Sequence, residues 1–143
     1  MNDLYHIIYA SRASHPFVID EIQDFLSECQ KNNKENDVTG MLLYDNGCFF
    51  QIIEGEKDVL LNLFESIEAD KRHDKVVVII SESIPKRNFG RWSMGYADVS
   101  RSDLSNLDGF NDFFEEGNSL MELDQNRAKK ILMAFAAGRW HIS

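Results

Sequence analysis

With 143 residues, 43% of them apolar and 27% charged, the chain has the composition of one folded domain, which excludes disorder, collagen-like repeats and low complexity. Folding at this length buries roughly two thirds of the unfolded surface, so the core needs no disulfide, and Cys29 and Cys48, lacking C-x-x-C spacing, suggest neither a zinc site nor a redox motif. A net charge of -9 argues against sequence-independent nucleic-acid binding, no apolar run approaches the roughly 18 residues of a membrane span, and Met1-Asn2-Asp3 lacks the basic start of a signal peptide, so a cytoplasmic protein is expected.

Tyr5 to Ser11 (YHIIYAS) is β-branched and aromatic and reads as a first strand. Ile19, Ile22, Leu26 and Cys29 then recur at helical steps among acids, predicting an amphipathic helix that frays near Gln30 to Asn33. Val38 to Tyr44 and Cys48 to Glu54 form a hairpin about Asp45-Asn46-Gly47, whose Asn-Gly pair tolerates positive φ. Val59, Leu60, Leu63, Phe64 and Ile67 trace a second helix ending near Asp70. The β-branched run Val76 to Ile80 suits a strand buried on both faces or at a sheet centre, and Trp92 to Val99 a fifth strand. Leu104, Leu107, Phe110, Phe113 and Phe114, then Ala128, Ile131, Leu132, Phe135 and Ala136, predict two more helices joined by Glu115 to Asp124.

The order β-α-β-β-α-β with a late strand is the ferredoxin-like, α+β arrangement, in which the first and third strands lie side by side and both crossover helices share one face. The two C-terminal helices are expected to cover the other sheet face. Residues 1–100 then form one unit and residues 101–143 a helical cap.

Gln51 interrupts an apolar strand, and a buried amide without partners costs about 1 to 3 kcal/mol. Alternation puts Tyr5, Ile7 and Tyr9 on one face of the first strand, so Tyr9 can meet Gln51 if both face the helices. Taken alone, the pair is better accounted for by a lone Tyr-Gln hydrogen bond inside a core. Asn32 and Asn33 past the first helix, and Asp70 to His73 past the second, read singly as capping and turn residues. Together these groups outline a slot floored by Tyr9 and Gln51 and edged by Asn32, Asn33, Asp70 and Arg72, suited to a flat heterocycle. No glycine-rich phosphate loop accompanies it.

The segments LYHIIYASR (4–12), NNKENDVTGMLLY (32–44), FFQIIEG (49–55), DKRH (70–73) and NFGRWSM (88–94) resemble those of the BLUF domain, a flavin-using blue-light sensor. The resemblance implies FAD, with FMN as the other candidate, held noncovalently between the two crossover helices. It also implies that Tyr9 is the electron donor to the photoexcited flavin, that Gln51 is the amide that switches its hydrogen bonds, and that Asn33 anchors the pyrimidine edge. Asn32, Asp70 and Arg72 fall at further flavin-contacting positions, and Trp92 and Met94 match a pair on the fifth strand that passes the signal on. Residues 101–143 are too few for a catalytic output domain, so the expectation is a stand-alone sensor, not an enzyme, that acts through another protein. Phe110, Phe113, Phe114 and Trp140 are candidates for a partner or self-association surface, with a homo-oligomer expected. The contrasting readings are a flavin-free ferredoxin-like interaction module and an acylphosphatase-like enzyme, the latter lacking glycines after the first strand.

Overall fold

The structure is a computed structural model that describes residues 3–90, 92–97, 101–107, 110 and 113–137. In chain order the elements are β1 (Leu4–Ala13), α1 (Ile19–Glu35), β2 (Thr39–Asp45), β3 (Cys48–Glu56), α2 (Lys57–Ala69), β4 (His73–Ser83), β5 (Gly95–Ala97), α3 (Arg101–Ser105), a 3-10 turn (Leu120–Glu122) and α4 (Gln125–Ala136). The strands form one sheet in the order β4-β1-β3-β2-β5, antiparallel except where β5 runs parallel to β2. This is the expected α+β, ferredoxin-like topology with a fifth strand. No described helix is long and apolar enough to cross a membrane.

Local chemistry fixes the hairpin that places Gln51. Asn46 and Gly47 adopt φ of 49° and 81°, the positive pair that a two-residue turn requires, and Asp45 pairs with Cys48 across it. That register sets Leu42 opposite Gln51. At Gly40 a Cβ would run into the Ile52 carbonyl oxygen, so only glycine lets β2 and β3 approach there.

Strand alternation divides the interior into two cores. On the helix side Ile7, Tyr9, Leu42, Phe49 and Ile53 pack with Phe25 of α1 and with Leu60 and Phe64 of α2. On the other side Ile8, Ala10, Met41, Leu43, Phe50 and Ile52 pack with the C-terminal segment. Both crossover helices therefore share one face, as the topology demands.

Several local expectations change. The buried stripe of α1 passes through Ile22 and Phe25, and Ile19 is 59% exposed. The helix runs on to Glu35 because the Asn33 carbonyl accepts from the Asn36 and Val38 amides, tying the helix end directly to β2. β4 is an edge strand, not a central one, with Val78 46% exposed. A register shift against β1 between Ile8 and Tyr9 turns Ile79 and Ile80 both inward, so a bulge accommodates the continuous apolar run.

The first of the two expected C-terminal helices is also different. Among the described residues of that stretch only α3 is helical, and beyond it Leu107, Phe110 and Phe113 each donate to the carbonyl three residues earlier. A stripe spaced strictly by three is the period of such turns, not of an α-helix. Phe110, Phe113 and Phe114 are buried against the sheet, so they fill the cap-side core and offer no partner surface. Trp140 and residues 98–99 of the expected fifth strand lie outside the described residues.

Candidate functional site

Tyr9 and Gln51 are direct cross-strand partners in the β1-β3 ladder, both turned toward α1 and α2. The Tyr9 hydroxyl donates to Gln51 Oε1, and Gln51 Nε2 lies 3.5 Å from the Met94 sulfur. The Cys29 thiol of α1 is within hydrogen-bonding reach of the same amide, and burial pushes that thiol up to about 12. Tyr9 has no solvent exposure and stands edge-on to Phe64 at 5.4 Å. Burial, then the charges of Cys29 and Asp70, hold its phenol well above the usual range, so it is a neutral donor.

Above Gln51, between α1 and α2, opens a cleft continuous with solvent. Phe25, Ile53, Leu63 and Ile67 give it apolar walls; Asn32, Asn33, Gln51, Asp70 and Arg72 supply polar groups. An apolar cleft with a few convergent amides and one guanidinium fits a planar heterocycle that carries carbonyls and ring nitrogens. Tyr9 does not line the cleft; it lies behind Gln51, as a hydrogen-bond partner of the floor.

The other expected site residues occupy distinct positions. Asn33 is buried and donates through Nδ2 to the Ser93 carbonyl at 2.6 Å, while Asn32 is exposed at the rim. Arg72 lies over the Phe25 ring at 4.8 Å and bridges Asp70 (2.5 Å) and Glu28 (2.9 Å). The Arg72 hydrogen bonds hold the Asp70 carboxyl below its usual range and raise the guanidinium in turn. Met94 and Trp92 both precede β5, and they separate: Met94 belongs to the helix-side core, whereas Trp92 is half-buried against the cap-side core. The described part of the C-terminal segment packs with Trp92 on the cap side, opposite the core that holds Met94.

Sequence reasoning missed some of the lining. Cys29 faces the cleft from a stripe that reads as core, Ser66 faces it from between the stripe residues Leu63 and Ile67, and His73, hydrogen-bonded to Ser11 at 2.8 Å, closes one end. The signal was present in the small polar residues Cys29 and Ser66, each one helical turn from an apolar neighbour that lines the same cleft, Phe25 and Leu63.

Residues 4–95 match the family model BLUF, "Sensors of blue-light using FAD". The blue light- and temperature-regulated antirepressor BluF of Escherichia coli (strain K12) is 28% identical over 130 residues, covering 90% of this chain and 32% of that protein. The chain thus spans about a third or less of the curated relatives it matches. Among solved structures, the BlsA photo-activated state superposes with a TM-score of 0.81 at 29% identity, covering 93% of this chain and 94% of BlsA. The dark-state structure of BlrB, a BLUF protein, superposes with a TM-score of 0.76 at 30% identity, covering 96% and 98%. A family match over well more than half of the residues, on the fold and cleft described, makes this chain a member of the BLUF family of blue-light flavin sensors.

Proposed function

We propose that this chain is a blue-light photoreceptor that holds a flavin, FAD or FMN, noncovalently between α1 and α2. Asn32, Asn33, Gln51, Asp70 and Arg72 would supply its polar contacts, and Phe25, Ile53, Leu63 and Ile67 its apolar walls. Flavin, when bound, supplies blue-light absorption and a strong excited-state oxidant.

The observation that carries the reading is the line Tyr9 to Gln51 to Met94 at the floor of the cleft. Tyr9 is a neutral phenol whose proton already points at an amide oxygen, so its electron and proton can leave together. Gln51 is held firmly by the phenol on one side and weakly by a thioether on the other, because sulfur is a poor acceptor. Once the phenol has given up its electron and proton, the amide can turn or tautomerise, leaving new hydrogen bonds that differ from the old by about 1 kcal/mol each. Thermal reversion follows, and no substrate is turned over.

The signal leaves through Met94 and Trp92, which join the two cores, toward the cap formed by residues 101–143 and from there to a partner protein, with a homo-oligomer as the working unit. Residues 1–100 serve as the flavin-binding part. The test is an absorption spectrum of the chain reconstituted with FAD, before and after blue light. A reversible red shift is expected; protein that retains no flavin, or flavin that shows no shift, overturns the reading.

A further inference from the structure

Glu54 has no solvent exposure and does not line the cleft. It lies on β3 three residues beyond Gln51, so alternation turns it to the opposite face of the sheet. Among the described residues, every group hydrogen-bonded to its side chain is a donor. Thr39 Oγ1 and the Phe89 N–H approach Oε1 at 2.9 and 3.0 Å, and the Asn88 N–H approaches Oε2 at 2.6 Å. Thr39 itself accepts from Arg87 Nη1 at 2.9 Å, which leaves its hydroxyl hydrogen for Glu54. Only a side chain that accepts on both outer atoms satisfies this set; a glutamine would set its NH2 group against a donor.

The carboxylate grips the start of the segment that ends at Met94. The Phe89 carbonyl accepts the Trp92 N–H at 3.0 Å, and the Trp92 carbonyl accepts the Gly40 N–H at 3.0 Å. The Ser93 and Met94 carbonyls accept from Asn33 and Gln30 of α1 at 2.6 and 2.9 Å. We propose that Glu54 is a positioning residue for the Tyr9, Gln51 and Met94 line: by fixing the Asn88 and Phe89 amides on the cap side, it sets where the Met94 sulfur stands against the Gln51 amide on the helix side. Its photochemical consequence rests on the photoreceptor reading; its structural consequence rests on these hydrogen bonds alone.

The test compares Glu54→Gln and Thr39→Val with the parent chain, first without flavin. The Gln51 side-chain amide resonances are expected to move in both variants, while amide exchange in α1 and α2 stays within about twofold. Gln51 resonances that stay in place in the folded variants overturn the proposal. With FAD and blue light, Glu54→Gln is expected to keep its flavin and recover in the dark about fivefold faster, the factor one ordinary hydrogen bond commands, because a looser Met94 lets Gln51 turn back sooner. Unchanged recovery with a normal red shift overturns the role of Glu54 and leaves the photoreceptor reading standing. A parent chain without any red shift sinks that reading instead, and the flavin-free resonances then decide Glu54. Should Glu54→Gln not fold, Thr39→Val, which removes one donor and keeps the carboxylate, carries the same comparison.

Discussion

Met94 and Trp92, two residues apart, belong to different cores: the Met94 sulfur lies against Gln51 among the helix-side residues, and Trp92 packs near Phe89, at 6.4 Å, among the cap-side residues. The short segment between them therefore links the two faces of the sheet. Met94→Ala is expected to change the light-minus-dark spectrum, because it removes a contact of Gln51. Trp92→Ala is expected to keep the spectrum and to abolish any light-dependent change in α4 amide exchange. Identical α4 exchange in light and dark for the parent chain would remove this output route.

Tyr9 and Gln51 form a buried pair that a double-mutant cycle can weigh. Gln51→Leu leaves the Tyr9 hydroxyl buried without its acceptor, a loss of about 1 to 3 kcal/mol by urea unfolding. Tyr9→Phe strands the amide oxygen instead, and the double variant is expected to lose less than the sum. Both single variants should retain flavin and lose the red shift. A normal shift in Tyr9→Phe would overturn its assignment as donor.

His73 makes stability depend on pH in a window separate from the carboxylates. Burial holds its pKa below the ordinary value of 6.5, so as pH falls the unfolded chain takes up the proton first. The native state then binds fewer protons than the unfolded state, and stability rises with pH across the window between the folded pKa and about 6.5, with the contribution complete above it. The lowered carboxyls of Asp70, Glu21 and Glu122 act at more acidic pH, from their ordinary values of 3.8 for Asp and 4.5 for Glu downward. His73→Gln is expected to flatten the loss of stability on acidification from pH 7 toward 5, read from urea midpoints; an unchanged slope would count against it.

Phe110 tests the cap. With no solvent exposure, it packs against Phe113 and Phe114 at ring separations of 5.7 and 6.0 Å. Phe110→Ala is expected to cost about 3 to 5 kcal/mol. A change within experimental error in thermal unfolding would mean that this ring is a surface feature after all.

Much of the fold was legible because it is written in local periodicities. The Asn46-Gly47 turn, the alternation of β1 and β3, and the stripe of α2 each follow from neighbours a few residues apart. In the tail the three-residue spacing of Leu104, Leu107, Phe110 and Phe113 suggests a helix, but consecutive turns satisfy the same pattern, and turns are what form. The β4 run was misread because apolar content says nothing of whether a strand has one neighbour or two, and the bulge that turns Ile79 and Ile80 inward depends on β1.

By itself the sequence determined candidates for the site, among them Tyr9, Gln51, Asn33 and Arg72, and that Tyr9 shares a face of its strand with Tyr5 and Ile7, since parity within a strand is a property of the chain alone; that Gln51 joins that face was settled by the β1-β3 register. Tertiary structure decided what local pattern cannot carry. It set Tyr9 behind Gln51 and outside the cleft, committed Asn33 to the Ser93 carbonyl, and sent Met94 and Trp92 to opposite sides. These are contacts between segments dozens of residues apart, and their geometry depends on how strands and helices pack, not on the order of residues within any one of them.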